Sequence, residues 1–278
     1  MLSRGWNGED MRKKEEEGEV VLEIENDGFA TLKLNRPKVH NAFNDKVVAA
    51  LHEKVAQIAR EQENIRAVFV RSTGSSFSAG GDLNYMKEMA QSSKERNMKD
   101  AVALSQFLRD LSFLSCPTVA LIQGTAMGGG VGLISVCDIG IAVESATFAL
   151  SEVKLGLLPA TISPYVIQRI SPGYARRYFL TGEKFNAQQA LKIGLVHEVV
   201  QDLQGLEDWK ALFKKQFKAN SPTGMAASKL LIRDVQYRPI DTELIKETAL
   251  RLANQRSSEE GMEGVKAFLE KRIPKWAI

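Results

Sequence analysis

The sequence predicts an α/β core followed by a helical C-terminal region, on three observations. Short β-rich apolar runs alternate with segments of helical spacing up to about residue 200. Two glycine-lined loops each follow a buried strand. From about Ser163 onward helical patterns dominate, apart from a strand-like run over 196–200. The chain therefore divides into a flexible charged extension over 1–18, an α/β core over 19–200 and a helical part over 201–278.

Taken in order, Val20-Val-Leu-Glu-Ile and Ala30-Thr-Leu-Lys-Leu flank Asn26-Asp-Gly, which predicts a β-hairpin. Asn44 then caps a helix whose apolar residues Val47, Leu51, Val55 and Ile58 recur at helical spacing. Ala67-Val-Phe-Val is a short buried strand, and a loop rich in Gly and Ser follows it over 72–82. A polar helical stretch leads to the buried strand Thr118-Val-Ala-Leu-Ile. That strand runs into Gly124-Thr-Ala-Met-Gly-Gly-Gly-Val-Gly and a helix over 131–136. Asp138-Ile-Gly-Ile-Ala-Val reads as a further strand, with Thr147-Phe-Ala-Leu-Ser-Glu after it.

Composition narrows the function classes. At 278 residues, 44% hydrophobic and 26% charged, the chain is not wholly disordered. Its 37 basic and 34 acidic residues leave a net charge of +3, too little to argue for a nucleic acid or a membrane surface. There is no dense basic stripe with interleaved aromatics, so RNA binding is set aside. No run approaches the ~18 apolar residues of a membrane span, and the N-terminus shows no signal-peptide core. Cys116 and Cys137 lie in apolar runs and form neither a disulfide framework nor a metal cluster. They read as buried structural thiols in reducing surroundings, and a cytoplasmic location is expected. The three histidines have no metal-ligand spacing; His52 and His197 read as structural.

The loops carry the chemistry. Phe77-Ser-Ala-Gly-Gly-Asp-Leu lies off the carboxyl end of a strand, where open α/β sheets place ligands. Gly80 and Gly81 there let the backbone turn and expose its N–H groups. Gly128, Gly129 and Gly130 open a helix, although each glycine in a helix costs about 1 kcal/mol relative to alanine. Close approach to a ligand, or tight helix packing, would account for them. Free N–H groups at a positive helix end favour a developing oxyanion. No Gly-x-Gly-x-x-Gly unit follows the first strand, which sets aside a dinucleotide site.

Taken together, Asn35-Arg-Pro-Lys-Val-His-Asn-Ala, the two glycine loops, Ser151-Glu-Val-Lys-Leu-Gly-Leu-Leu-Pro and Glu263-Gly-Val-Lys-Ala-Phe-Leu-Glu-Lys-Arg resemble the crotonase (enoyl-CoA hydratase/isomerase) superfamily, in the family's order and from about residue 20 onward. The resemblance implies a crotonase-type spiral of ββα units and a C-terminal trimerisation region, assembled as a trimer or a dimer of trimers. It implies an acyl-CoA thioester as substrate and no cofactor beyond that coenzyme A. The N–H groups of Gly81 and Gly129 would form an oxyanion hole. Val39, Ala42, Ala79, Asp82, Leu83 and Gly128 would line the acyl-CoA site, with His40 near its entrance but not catalytic. Phe268 and Lys271 would reach the coenzyme A of a neighbouring subunit.

Two-glutamate hydratases of the family carry one carboxylate shortly after the Gly-Gly-Gly run and one in the Glu-x-x-x-Gly segment. Here the second is Glu152, while the first position is Gly132. The expected activity is hydration of an α,β-unsaturated thioester by a single glutamate. The alternative is a Δ3,Δ2-enoyl-CoA isomerase in which Glu152 shuttles a proton. Val39-His-Asn-Ala-Phe, Gly81-Asp-Leu-Asn-Tyr-Met, Gly130-Val-Gly-Leu and Leu158-Pro-Ala-Thr-Ile-Ser-Pro-Tyr look most similar to the methylglutaconyl-CoA hydratase group of leucine and isoprenoid breakdown, which implies 3-methylglutaconyl-CoA as a candidate substrate. Such a substrate carries a second carboxylate, for which Lys154 and Arg169 are the candidate cations, although both read first as solvated surface residues.

Overall fold

The expected hairpin forms as β1 (Val20–Ile24) and β2 (Phe29–Leu34), paired antiparallel with Val20 opposite Leu34. The computed structural model describes residues 18–277, so the charged extension expected over 1–18 falls, but for Gly18, outside the described residues. Asn44 caps α1 (Asp45–Arg60) by accepting the Val47 N–H at 2.9 Å, and the helix buries Val47, Val48, Leu51, Val55 and Ile58.

After this first ββα unit the pattern repeats. β3 (Ala67–Ser72) and β4 (Ser76–Ser78) precede α2 (Leu83–Ala90) and α3 (Lys94–Ser112). β5 (Thr118–Ile122) and β6 (Thr125–Met127) precede α4 (Gly129–Val136). β7 (Ile139–Val143) and β8 (Thr147–Ala149) precede α5 (Ser163–Thr181). β9 (Lys184–Asn186), α6 (Ala187–Lys192) and β10 (Glu198–Val200) complete the core. In each of these three repeats the first strand joins a six-stranded sheet, ordered β1-β2-β3-β5-β7-β10. The second strand joins a four-stranded sheet, ordered β4-β6-β8-β9. From β2 onward the larger sheet is parallel. Its inner strands are apolar on both faces, as parallel strands covered by helices must be. This is the ββα spiral that the sequence motifs imply.

Two local features depart from the sequence reading. The single polar helical stretch is two helices, because Ser93 leaves the helix and caps α3 through the Arg96 N–H at 3.3 Å. α5 is kinked at Ser171, whose φ is +68°, just before Pro172, which has no N–H to continue the ladder.

Among the described residues four α-helices follow the last strand: α7 (Leu203–Ala219), α8 (Pro222–Val235), α9 (Thr242–Ser257) and α10 (Glu259–Leu269). α7 returns to the core, stacking Phe213 on Phe217 and burying both. α9 and α10 leave Leu250, Leu252, Met262, Val265, Phe268 and Leu269 more than half exposed. No helix among the described residues is long and apolar enough to cross a membrane.

Candidate active site

Three neighbouring parallel strands of the smaller sheet build the site. β4 pairs with β6 through Ser78 and Ala126, and β6 pairs with β8 through Met127 and Ala149. The segments leaving their carboxyl ends therefore emerge side by side, carrying Gly81, Gly129 and Glu152. All three line one cavity of about 220 Å³.

The two glycine loops touch through their backbones. A Cβ on Gly80 would stand 2.9 Å from the Met127 carbonyl oxygen and 3.7 Å from the Gly129 nitrogen. A Cβ on Gly130 would stand 2.6 Å from the Ser78 carbonyl oxygen. Tight packing between the loops thus explains part of the glycine run, in addition to approach by a ligand.

The loop of Gly81 is fastened from behind. Phe43 donates its N–H to the Gly80 carbonyl at 2.7 Å and accepts the Asp82 N–H at 2.8 Å. That parallel bridge aims the N–H of Gly81 away from Phe43. The Gly129 N–H, first in α4, has no earlier turn to bond. Neither N–H finds an acceptor among the described residues. Arg36 ties the same region together, donating to the Ala42 carbonyl at 2.6 Å and pairing with Asp82 at 3.3 Å.

Glu152 starts a short 3-10 helix, Glu152–Leu155, that ends at Gly156. Its placement follows from the strand pairing: the Gly128 N–H donates to the Ala149 carbonyl at 2.9 Å, which draws the two segments together. A Cβ on Gly128 would stand 2.8 Å from Glu152 Oε1. Glu152 Oε2 is buried and accepts no hydrogen bond from the described residues. Burial pushes the carboxyl above the ordinary glutamate value, only partly offset by a backbone hydrogen bond.

The remaining wall was not assigned from sequence. Phe43, Val48, Met86, Met89, Leu104, Leu158, Pro159 and Ile162 make it apolar, while Asn44, Tyr85, Asp100 and Thr161 add polar atoms. Of the expected acyl-CoA residues, Gly128 abuts the Glu152 carboxyl. Asp82 spends its carboxylate capping α2 through the Asn84 and Tyr85 N–H groups. Val39, Ala42, Ala79 and Leu83 lie on the two laced segments but do not line this cavity; Val39 and Leu83 are exposed. Phe268, 82% exposed, lies in the last turn of α10 and Lys271 just beyond it, and neither lines the cavity of its own chain.

Gly132 has a specific occupant. A Cβ there would fall 2.2 Å from Ile162 Cγ2 and 2.8 Å from Ile162 Cβ, so Ile162 fills the space beside it. Gly132→Glu alone is therefore expected to overpack the interior and lower stability by about 1–3 kcal/mol, read as a shift in the denaturation midpoint. Gly132→Glu with Ile162→Ala should recover much of that loss. Equal stability of the single variant and the parent protein would show that Ile162 moves freely.

The other candidates lie outside this cavity. Arg169 is no solvated surface residue: its guanidinium donates to the carbonyls of Cys137, Asp138 and Leu195, and it lies outside the cavity. Lys154 is exposed and also outside. His52 pairs with Asp110 at 2.8 Å, His197 accepts the Gly140 N–H at 3.1 Å, and His40 holds Ser76 at 3.0 Å. Burial pushes the thiols of Cys116 and Cys137 up to about 11 and about 12, which keeps both protonated and unreactive. No cluster of metal ligands occurs among the described residues.

Comparison with known proteins agrees with this architecture. The enoyl-CoA hydratase/isomerase family model matches residues 24–277. A solved enoyl-CoA hydratase from Shewanella pealeana superposes with a TM-score of 0.89 at 39% identity, over 93% of this chain and 96% of that one. The short-chain-enoyl-CoA hydratase of Clostridium acetobutylicum is 31% identical over 91% of this chain and 95% of its own length. The 1,2-epoxyphenylacetyl-CoA isomerase of Escherichia coli is 32% identical over 93% of this chain and 98% of its own.

Proposed function

The chain belongs to the enoyl-CoA hydratase/isomerase family, and from that premise we propose that it hydrates an α,β-unsaturated acyl-CoA thioester. One observation carries this reading: adjacent strand ends bring two unpaired backbone N–H groups and one buried carboxyl to the same cavity. Attack at C3 of an enoyl thioester moves negative charge onto the thioester oxygen. Fixed N–H donors from Gly81 and Gly129 stabilise that charge more than the neutral carbonyl, each worth roughly 3–4 kcal/mol in comparable sites. Glu152 takes a proton from the attacking water, and the carboxylic acid so formed returns one to C2, so that water is added across the double bond.

The second reading is isomerisation between 3-enoyl and 2-enoyl thioesters. What favours it is Ile162, which occupies the space where a second carboxylate would project from Gly132. One carboxyl shuttling a proton between C2 and C4 suffices for that reaction. Among the described residues the cavity lining holds no Lys, Arg or His, so it gives no support to 3-methylglutaconyl-CoA, whose second carboxylate would need a cation. The apolar side chains left bare on α9 and α10 support self-association as a trimer or dimer of trimers, with Phe268 and Lys271 presented to a neighbour.

The test is product identification on a panel of enoyl-CoA thioesters. Loss of the conjugated enoyl thioester absorbance with gain of one water is the expected result. Conversion of a 3-enoyl to a 2-enoyl thioester without water uptake would select isomerisation instead, and no reaction with any thioester would overturn both.

A further inference from the structure

α3 breaks its own pattern at the cavity. Its inward stripe reads Asp100, Leu104, Phe107, Leu108, Leu111, and Phe107, Leu108 and Leu111 are fully buried. An aspartate heads a stripe that is otherwise apolar, and it lines the cavity beside Leu104. The Tyr85 hydroxyl, reaching from α2, donates to Asp100 Oδ1 at 2.7 Å. Burial and this bond raise the Tyr85 hydroxyl pKa, so that it stays a donor. Asp100 Oδ2 takes no hydrogen bond or ion pair from the described residues. Arg96, the cation that acts on Tyr85, is itself bound to Glu88. Among the described residues, the only other charged one lining the cavity is Glu152, also acidic.

We infer that Asp100, held in place by Tyr85, sets the acyl specificity of this cavity, accepting a hydrogen bond from a hydroxyl on the acyl chain and excluding a chain that ends in a carboxylate. The inference rests on the acyl-CoA reading above. A fixed carboxylate with one oxygen unpaired among the described residues offers an acceptor to a hydroxyl and disfavours a second anion in a largely apolar wall. A purely apolar wall would discriminate between such chains far less.

The experiment measures binding of three saturated thioesters, hexanoyl-CoA, 6-hydroxyhexanoyl-CoA and adipyl-CoA, by calorimetry on the full chain. These probes do not turn over, so the outcome is independent of which reaction the enzyme catalyses. The parent protein should bind 6-hydroxyhexanoyl-CoA at least about tenfold more tightly than adipyl-CoA. Asp100→Asn should raise adipyl-CoA affinity relative to hexanoyl-CoA by about tenfold or more. Tyr85→Phe, which keeps the charge, should leave adipyl-CoA excluded while altering 6-hydroxyhexanoyl-CoA binding severalfold, and it serves if Asp100→Asn does not fold. No preference in the parent protein, or the same preference in Asp100→Asn, overturns the specificity role alone. Failure of all three thioesters to bind the parent protein overturns the acyl-CoA reading itself.

Discussion

Replacing Glu152 by glutamine is expected to cut turnover by at least ~10²-fold while leaving acyl-CoA binding within a few-fold of the parent protein. Glutamine keeps the shape that fits against Gly128 and loses only the capacity to exchange a proton. The carboxyl is desolvated, which raises its pKa. As the base it must be ionised, so turnover in the parent protein should fall on the acid side at a pH above the ordinary glutamate range. That limb should be absent from the residual activity of the variant. Stability supplies an independent readout with the opposite sign. A carboxyl whose folded pKa lies above its unfolded value penalises the fold once ionised; the penalty is fully present above the folded pKa and vanishes below the unfolded one. Glu152→Gln should therefore be at least as stable as the parent protein at neutral pH, with the difference shrinking as the solution is acidified. Lower stability together with unchanged turnover would mean that Glu152 serves the fold rather than the reaction.

What could be read in the sequence was whatever local pattern determines. The β1–β2 hairpin follows from Asn26-Asp-Gly between two β-rich runs, and α1 from its cap and apolar spacing. Glu152 and Gly81 are candidates because their segments carry motifs, and Gly129 because three glycines in a row resist a local explanation. Pairing of β4, β6 and β8 then places them together, which is a tertiary fact. The acyl wall was not legible for the same reason. Met86, Leu104 and Ile162 come from α2, α3 and the segment before α5, and no periodicity links the three.

One misreading shows where sequence defaults fail. Arg169 looked like a surface cation, yet it satisfies carbonyls at the strand edges of Cys137 and Leu195, a demand set by neighbours far along the chain. At Gly132 the sequence shows the absent carboxylate but not what takes its place, which is Ile162 packed onto the bare Cα. Asp100 is the reverse case. Its place in the apolar stripe of α3 was visible in the spacing, but the stretch reads as generally polar, and only the cavity singles it out.

Gly128→Ala should be nearly as damaging to turnover as loss of the carboxyl itself, by a different route. The residue has φ +47° and ψ −112°, a combination that a Cβ disfavours, so alanine stores strain of about 1–3 kcal/mol. That Cβ would also lie 2.8 Å from Glu152 Oε1 and 3.5 Å from its Cδ, which displaces the carboxyl from its resting place. A misplacement near 1 Å at a reacting group costs about 10²-fold in rate. Gly156→Ala separates the two effects, because Gly156 also has a positive φ, +71°, yet a Cβ there meets nothing within 4 Å. Both variants should melt earlier than the parent protein, but only Gly128→Ala should lose most of its turnover under conditions where each remains folded. If the two lose activity equally, backbone strain alone explains the loss, and the contact between residue 128 and the carboxyl does not govern where Glu152 sits.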